Sequence, residues 1–180
     1  MKKIAILICV IIILAISLLN NNNILKLFYK TNYSEYVEKY SKEYGVDKYM
    51  VYSIIKAESN FNSKARSERG ACGLMQLMDK TAEEVAQNEV IEYSSNVTLY
   101  DAEKNIQLGI KYYADLKEQC GNDKIALAAY NAGIGNVQKW IKDGIIKEDG
   151  SDIENIPYKE TNMYVRKILN NYVMYKRLYS

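Results

Sequence analysis

The chain has no histidine, one proline, one tryptophan and only two phenylalanines among 180 residues. Without histidine there is no Ser-His-Asp triad, and the commonest zinc ligand is missing, so no metal site and no metal or organic cofactor are expected. One proline and nine glycines leave long segments free to continue as helix. Charge of one sign is also lacking. Twenty-four Lys and Arg against 22 Asp and Glu give a net charge of +2, mixed along the chain with no basic stripe, which disfavours nucleic acid as a partner. Against these shortages stand 17 tyrosines, amphipathic residues suited to core edges or to a groove that takes a sugar.

Long apolar runs are absent except at the start. Lys2 and Lys3 precede sixteen uncharged, mostly apolar residues, 4–19, a length between a signal-peptide core and a full membrane span. Residues 1–19 read as an uncleaved signal anchor, with a cleaved signal peptide as the alternative; Ala15-Ile16-Ser17 is a weak cleavage candidate. The two lysines would stay in the cytoplasm and put the remainder outside the cell. Residues 20–32 open with an Asn run and read as a linker, and 33–180 as one domain long enough to bury a core.

Helical periodicity runs through that domain. A first helix is expected over 33–44, with Tyr36, Val37, Tyr40 and Tyr44 inward, followed by one capped by Asp47. Thr81-x-x-Glu84 reads as a capping box for a helix through about Gln87, and 88–100 as a loop along a cleft. A long helix follows from Asp101 to about Gln119, stopped by Gly121. Ile125–Tyr130 is apolar on all sides and should be central. A last helix is expected over Lys159–Tyr179, with Val165, Ile168, Leu169, Tyr172 and Val173 inward. Cys72 and Cys120 would form either a disulfide or two separate buried thiols.

One residue breaks its pattern. Val51, Ile54, Ile55 and Glu58 fall at i, i+3, i+4 and i+7, placing an acid on an apolar stripe. Burial drives a carboxyl toward its neutral form, and a carboxyl protonated near neutral pH is a general acid. The alternative is a helix-end Glu58 that points to water or pairs with Arg66 or Arg69. Beyond it, Gly70 and Gly73 bracket a small-residue loop, and Gln76 brings an amide able to read donors and acceptors on a neutral ligand.

Glu58-Ser59-x-Phe61-Asn62 and Gly70-Ala71-x-Gly73-Leu74-Met75-Gln76-x-Met78, followed by Ala128–Gly133 (AAYNAG) and Ile156–Thr161 (IPYKET), resemble the soluble lytic transglycosylase family in order and spacing. The resemblance runs over about 36–176. It implies a mainly α, lysozyme-like single domain with little or no sheet, acting on the glycan strands of peptidoglycan. Cleavage there uses one acid. Glu58 would protonate the leaving N-acetylglucosamine and then, as base, activate the C6 hydroxyl of N-acetylmuramic acid, leaving a 1,6-anhydro end. A hydrolytic muramidase and a non-catalytic glycan-binding module are the other readings. Carried over residue by residue, Gln76 and Met78 resemble a glycan-contacting pair, although Met78 could be core. Tyr130 resembles a tyrosine beside the acid. Asn131 would bind ligand or cap its helix. Glu160 resembles a cleft acid, its other role being a favourable first-turn charge. Tyr164 shares the Glu160 face, and Ser59 would contact sugar or be structural. The implied partners are peptidoglycan, the membrane through the anchor, and cell-wall, secretion or conjugation machinery, with the chain itself a monomer.

Overall fold

The computed structural model describes residues 21–180, together with Ile4 and Ile8. The anchor expected over 1–19 therefore lies, apart from those two positions, outside the described residues. Among the described residues no helix is long and apolar enough to cross a membrane. The helices, in order, are α1 (Asn22–Phe28), α2 (Ser34–Glu43), α3 (Lys48–Glu58), α4 (Asp79–Asn88), α5 (Ser95–Thr98), α6 (Ala102–Cys120), α7 (Asp123–Ala132), α8 (Ile134–Lys142) and α9 (Lys159–Tyr179), with a 3-10 turn at Ile153–Asn155. The only β pairing among these residues is two isolated bridges, Arg66 to Cys72 and Cys72 to Leu77.

Local chemistry sets the boundaries. The carboxylates of Asp47 and Asp101 accept the Tyr49 and Lys104 amides at 2.9 and 2.8 Å, starting α3 and α6. Gly121, at φ 71°, closes α6 in the left-handed conformation. Helix α7 is the centre of the molecule: Ala126 to Ala129 are fully buried, and it packs on α6, α8 and α9. Its alanines let those neighbours approach closely. Helices α3 and α9 form the largest helix pair, joining Val51, Ile54 and Ile55 to Val165, Ile168 and Tyr175 in one core. A second, smaller core lies under the α3–α4 connection, where Cys72, Leu77, Val85, Leu99 and Leu108 meet.

Several expectations are corrected. The Thr81 capping box is not used, because α4 starts earlier, at Asp79, and Thr81 lies inside it. Asp79 supplies the negative first-turn charge instead. Residues 88–100 carry the turn α5 and fold onto the second core through Ile91, Tyr93 and Leu99. Val173 is 65 % exposed. Five residues beyond Ile168 a helix has rotated about 140° off the buried stripe, which continues through Asn171 and Tyr175 instead. The stretch expected as a linker carries α1. Of the two arrangements left open for the cysteines, separate thiols hold: Cys72 is buried and Cys120 half-buried, both free.

The loop between α3 and α4 is held from behind by Asn105. Its side-chain oxygen accepts the Met75 amide at 2.8 Å, and its amide nitrogen donates to the carbonyls of Leu99 at 2.9 Å and Cys72 at 3.1 Å. A β-carbon at Gly73 would collide with the Leu99 carbonyl and with Asn105, and one at Gly109 with Met75. Substituting Asn105→Ala strands three buried backbone groups. It should lower the unfolding free energy in urea by about 3 kcal/mol, at unchanged m-value. A loss under about 1 kcal/mol would mean the loop is held by other means.

Candidate active site

Glu58 is the last residue of α3. The chain must leave the helix here, and Ser59 makes it turn: its hydroxyl bonds the carbonyls of Ile55, at 3.2 Å, and Leu74, at 2.8 Å. That ties the end of α3 to the glycine loop. The Glu58 side chain faces α9, where Tyr164 donates its hydroxyl to Oε1 at 2.6 Å. Burial raises the Glu58 carboxyl from its ordinary 4.5 to about 7, with the Tyr164 hydrogen bond and the nearby Lys167 charge pulling the other way. Burial is the larger effect, so the group holds its proton into the neutral range. Neither Arg66 nor Arg69 pairs with it.

The carboxyl opens onto a groove of about 750 Å³ lined by Ala57, Glu58, Asn131, Lys159, Glu160, Met163, Tyr164 and Lys167. A second hollow of about 400 Å³ adjoins it, with Asn131 and Glu160 shared and Arg69, Asn136, Tyr158 and Thr161 on its other walls. Asn131 stands at the end of α7, where its oxygen accepts the Thr161 hydroxyl at 2.7 Å and locks α7 to the first turn of α9. Glu160 meets Arg69 at 3.2 Å in an exposed ion pair on the wall of the second hollow. Exposure limits such a pair to roughly 1 kcal/mol or less.

The structure thus brings Glu58, Asn131, Glu160 and Tyr164 together on one groove. Ser59, Gln76, Met78 and Tyr130 do not line it. Gln76 sits at φ 50° and donates its side-chain amide to the carbonyls of Gly73, at 2.9 Å, and Ala65, at 3.2 Å, so that half of the amide holds the loop in shape. Met78 is 45 % exposed, just before α4. The Tyr130 hydroxyl donates to the Met75 carbonyl at 2.8 Å. Its ring rests on Tyr112 at 5.1 Å, and the Glu58 charge, after burial, holds its proton on. The tyrosine bonded to the acid is Tyr164. Lys167 was not anticipated: its ammonium donates to the Ala57 carbonyl at 2.9 Å, beside the acid. The signal was present, since Glu160, Tyr164 and Lys167 fall at i, i+4 and i+7. Among the described residues no cluster could hold a metal ion.

The helical, lysozyme-like scaffold is shared with solved structures. The X-ray structure of the lytic transglycosylase Slt from Pseudomonas aeruginosa, an inactive mutant, is similar at a TM-score of 0.77 and 34 % identity, covering 86 % of this chain and 25 % of that one. The 70 kDa soluble lytic transglycosylase from Escherichia coli gives 0.78 and 32 % over the same shares. In sequence, the Escherichia coli K12 soluble lytic murein transglycosylase is 36 % identical over 140 residues, which are 76 % of this chain and 22 % of that protein. The membrane-bound lytic murein transglycosylase C of Edwardsiella ictaluri is 29 % identical, over 81 % of this chain and 47 % of its own length. Residues 35–151 match the family described as Transglycosylase SLT domain, and the chain belongs to that family. It spans about a quarter to a half of the length of these relatives.

The raised Glu58 carboxyl has a consequence for stability. Between 4.5 and about 7 the folded chain holds a proton that the unfolded chain has released, so stability falls as pH rises through that window. Glu58→Gln removes this dependence. The stability of the variant relative to the parent should grow by roughly 3 kcal/mol across the window, measured as urea unfolding against pH. A constant difference would show that the carboxyl is not shifted.

Proposed function

We propose that this domain is a peptidoglycan lytic transglycosylase that cleaves the bond between N-acetylmuramic acid and N-acetylglucosamine without water. Glu58 is its single general acid and base. The observation that carries this is a carboxyl held at about 7 on the wall of an open groove. As acid, Glu58 gives its proton to the departing N-acetylglucosamine oxygen while the C1–O bond breaks through an oxocarbenium-like state. As carboxylate, it then takes the proton of the C6 hydroxyl, whose oxygen closes on C1. No water is consumed, and Glu58 ends protonated for the next turnover. The attack is intramolecular, so correct placement of the sugar replaces a second activating carboxylate.

Each surrounding group has work in that cycle. Tyr164 donates to the carboxylate when the proton has gone, and Lys167 offsets its charge. Asn131 and Glu160 offer hydrogen-bonding groups along the groove. The loop held by Ser59 and Asn105 presents the remaining oxygen of Gln76, together with Met78, to glycan. Residues 33–180 are the catalytic unit. Residues 1–19 anchor it with the domain outside the cytoplasmic membrane, a reading in keeping with relatives that are named membrane-bound. One observation favours a second reading. Glu160 lines the same groove and could activate a water, making the enzyme a hydrolase with a reducing-end product.

Mass spectrometry of muropeptides released from purified peptidoglycan by the full chain separates the two. Anhydromuramic products from the parent, none from Glu58→Gln and continued activity in Glu160→Gln are the expected set. Products heavier by one water, abolished by Glu160→Gln, would establish the hydrolase; wall binding with no product from any form would leave a binding module. In the pH–rate profile, Tyr164→Phe removes the bond that favours the ionised acid. It should therefore shift the alkaline limb upward by about half a unit to one unit.

A further inference from the structure

Helix α1 is fixed to the domain and yet leaves its apolar end uncovered. The Tyr175 hydroxyl donates to the Lys30 carbonyl and that of Tyr179 to the Tyr29 carbonyl, both at 2.7 Å. The Lys56 ammonium donates to the Phe28 carbonyl at 2.5 Å, capping the negative end of the helix. Lys26 lies 5.0 Å from the centre of the Tyr179 ring, and Lys56 lies 4.7 Å from that of Tyr29. Ile24 and Leu25 are half-covered, but Leu27 and Phe28 are 70 % and 63 % exposed. The charges acting on Lys56 are those of Lys167 and Lys30, so this end of the molecule is electropositive around an exposed apolar pair.

The apolar run ends at Leu19 and α1 begins at Asn22. Three steps of chain reach about 10 Å at full extension, little more than the headgroup layer of a bilayer. We propose that α1 seats the domain on the anionic surface of the membrane, with Leu27 and Phe28 entering the interface and Lys26, Lys30 and Lys56 facing lipid phosphates. This rests on residues 1–19 being an anchor. An apolar edge flanked by lysines suits an interfacial position. Because Lys56 adjoins Ala57 and Glu58, seating α1 also fixes how the groove faces the membrane, which a flexible tether would not do.

The test uses the full chain reconstituted into phosphatidylcholine vesicles with brominated acyl chains, with and without phosphatidylglycerol. Phe28→Trp and Val90→Trp each add an indole to the native Trp140. Val90 is 92 % exposed, just past α4, a helix that packs on α6. The expected result is bromine quenching of the added indole at least about twofold greater at position 28 than at 90, strongest with phosphatidylglycerol and reduced by Lys26→Glu with Lys30→Glu. Equal quenching at 28 and 90 in chains that float with the vesicles would overturn the seating and keep the anchor. Quenching at 28 indifferent to lipid charge would overturn the anionic surface. Chains that fail to float would overturn the anchor and the seating together.

Discussion

The structure depends on one carboxyl largely withdrawn from water. Glu58 ends a helix whose other inward residues are fully buried, and the groove is arranged around the cost of keeping it there. A charged carboxylate in that place would be disfavoured by several kcal/mol if nothing compensated. The compensation is partial. One phenol donates to it and one ammonium stands nearby, enough to allow ionisation but not enough to favour it at neutral pH. A stronger partner, such as a direct ion pair with Arg69, would have made a stable salt bridge and a poor acid. Arg69 is taken by Glu160 instead.

Positioning this group draws in elements far apart in the chain. Helix α3 brings the acid, α9 brings Tyr164 and Lys167 more than a hundred residues later, and α7 brings Asn131 between them. The glycine loop is fastened to α3 by Ser59, to α7 by Tyr130 and to α6 by Asn105. Three helices therefore converge on one short loop, and the contacts of Gly73 with Leu99 and Asn105, and of Gly109 on α6 with Met75, leave no room for a β-carbon at either glycine.

Much of this was legible in the sequence, for identifiable reasons. The acid on the Val51–Ile54–Ile55 stripe showed itself because helical period and polarity disagreed at one position. The start of α3 and both ends of α6 could be read because caps and stops are local chemistry. Other features could not be read. Which tyrosine bonds Glu58 depends on the crossing of α3 and α9: the family motif put Tyr130 beside the acid, where the Glu58 charge acts on it, and the direct hydrogen bond comes from Tyr164. Ser59 and Gln76 carry groups suited to a sugar, yet both spend hydrogen bonds on backbone carbonyls, a choice made by loop conformation. Val173 failed because apolar character alone was followed past the turn of the helix. The segment 20–32 looked like a linker because its asparagines are polar; what orders α1 is a set of tyrosine hydroxyls at the other end of the chain.

Those hydroxyls bear on how the molecule senses its surroundings. Tyr164, Tyr130 and Tyr175, all of them hydroxyl donors in the structure, keep their protons far above neutral pH because they are buried. With no histidine in the chain, side-chain titration near neutrality falls to the acid in the groove. The fastenings of the fold are thus indifferent to acidification from neutrality, whereas the groove's proton is not. Acidity sets the charge of the groove while the hydrogen bonds that hold the surrounding architecture stay the same.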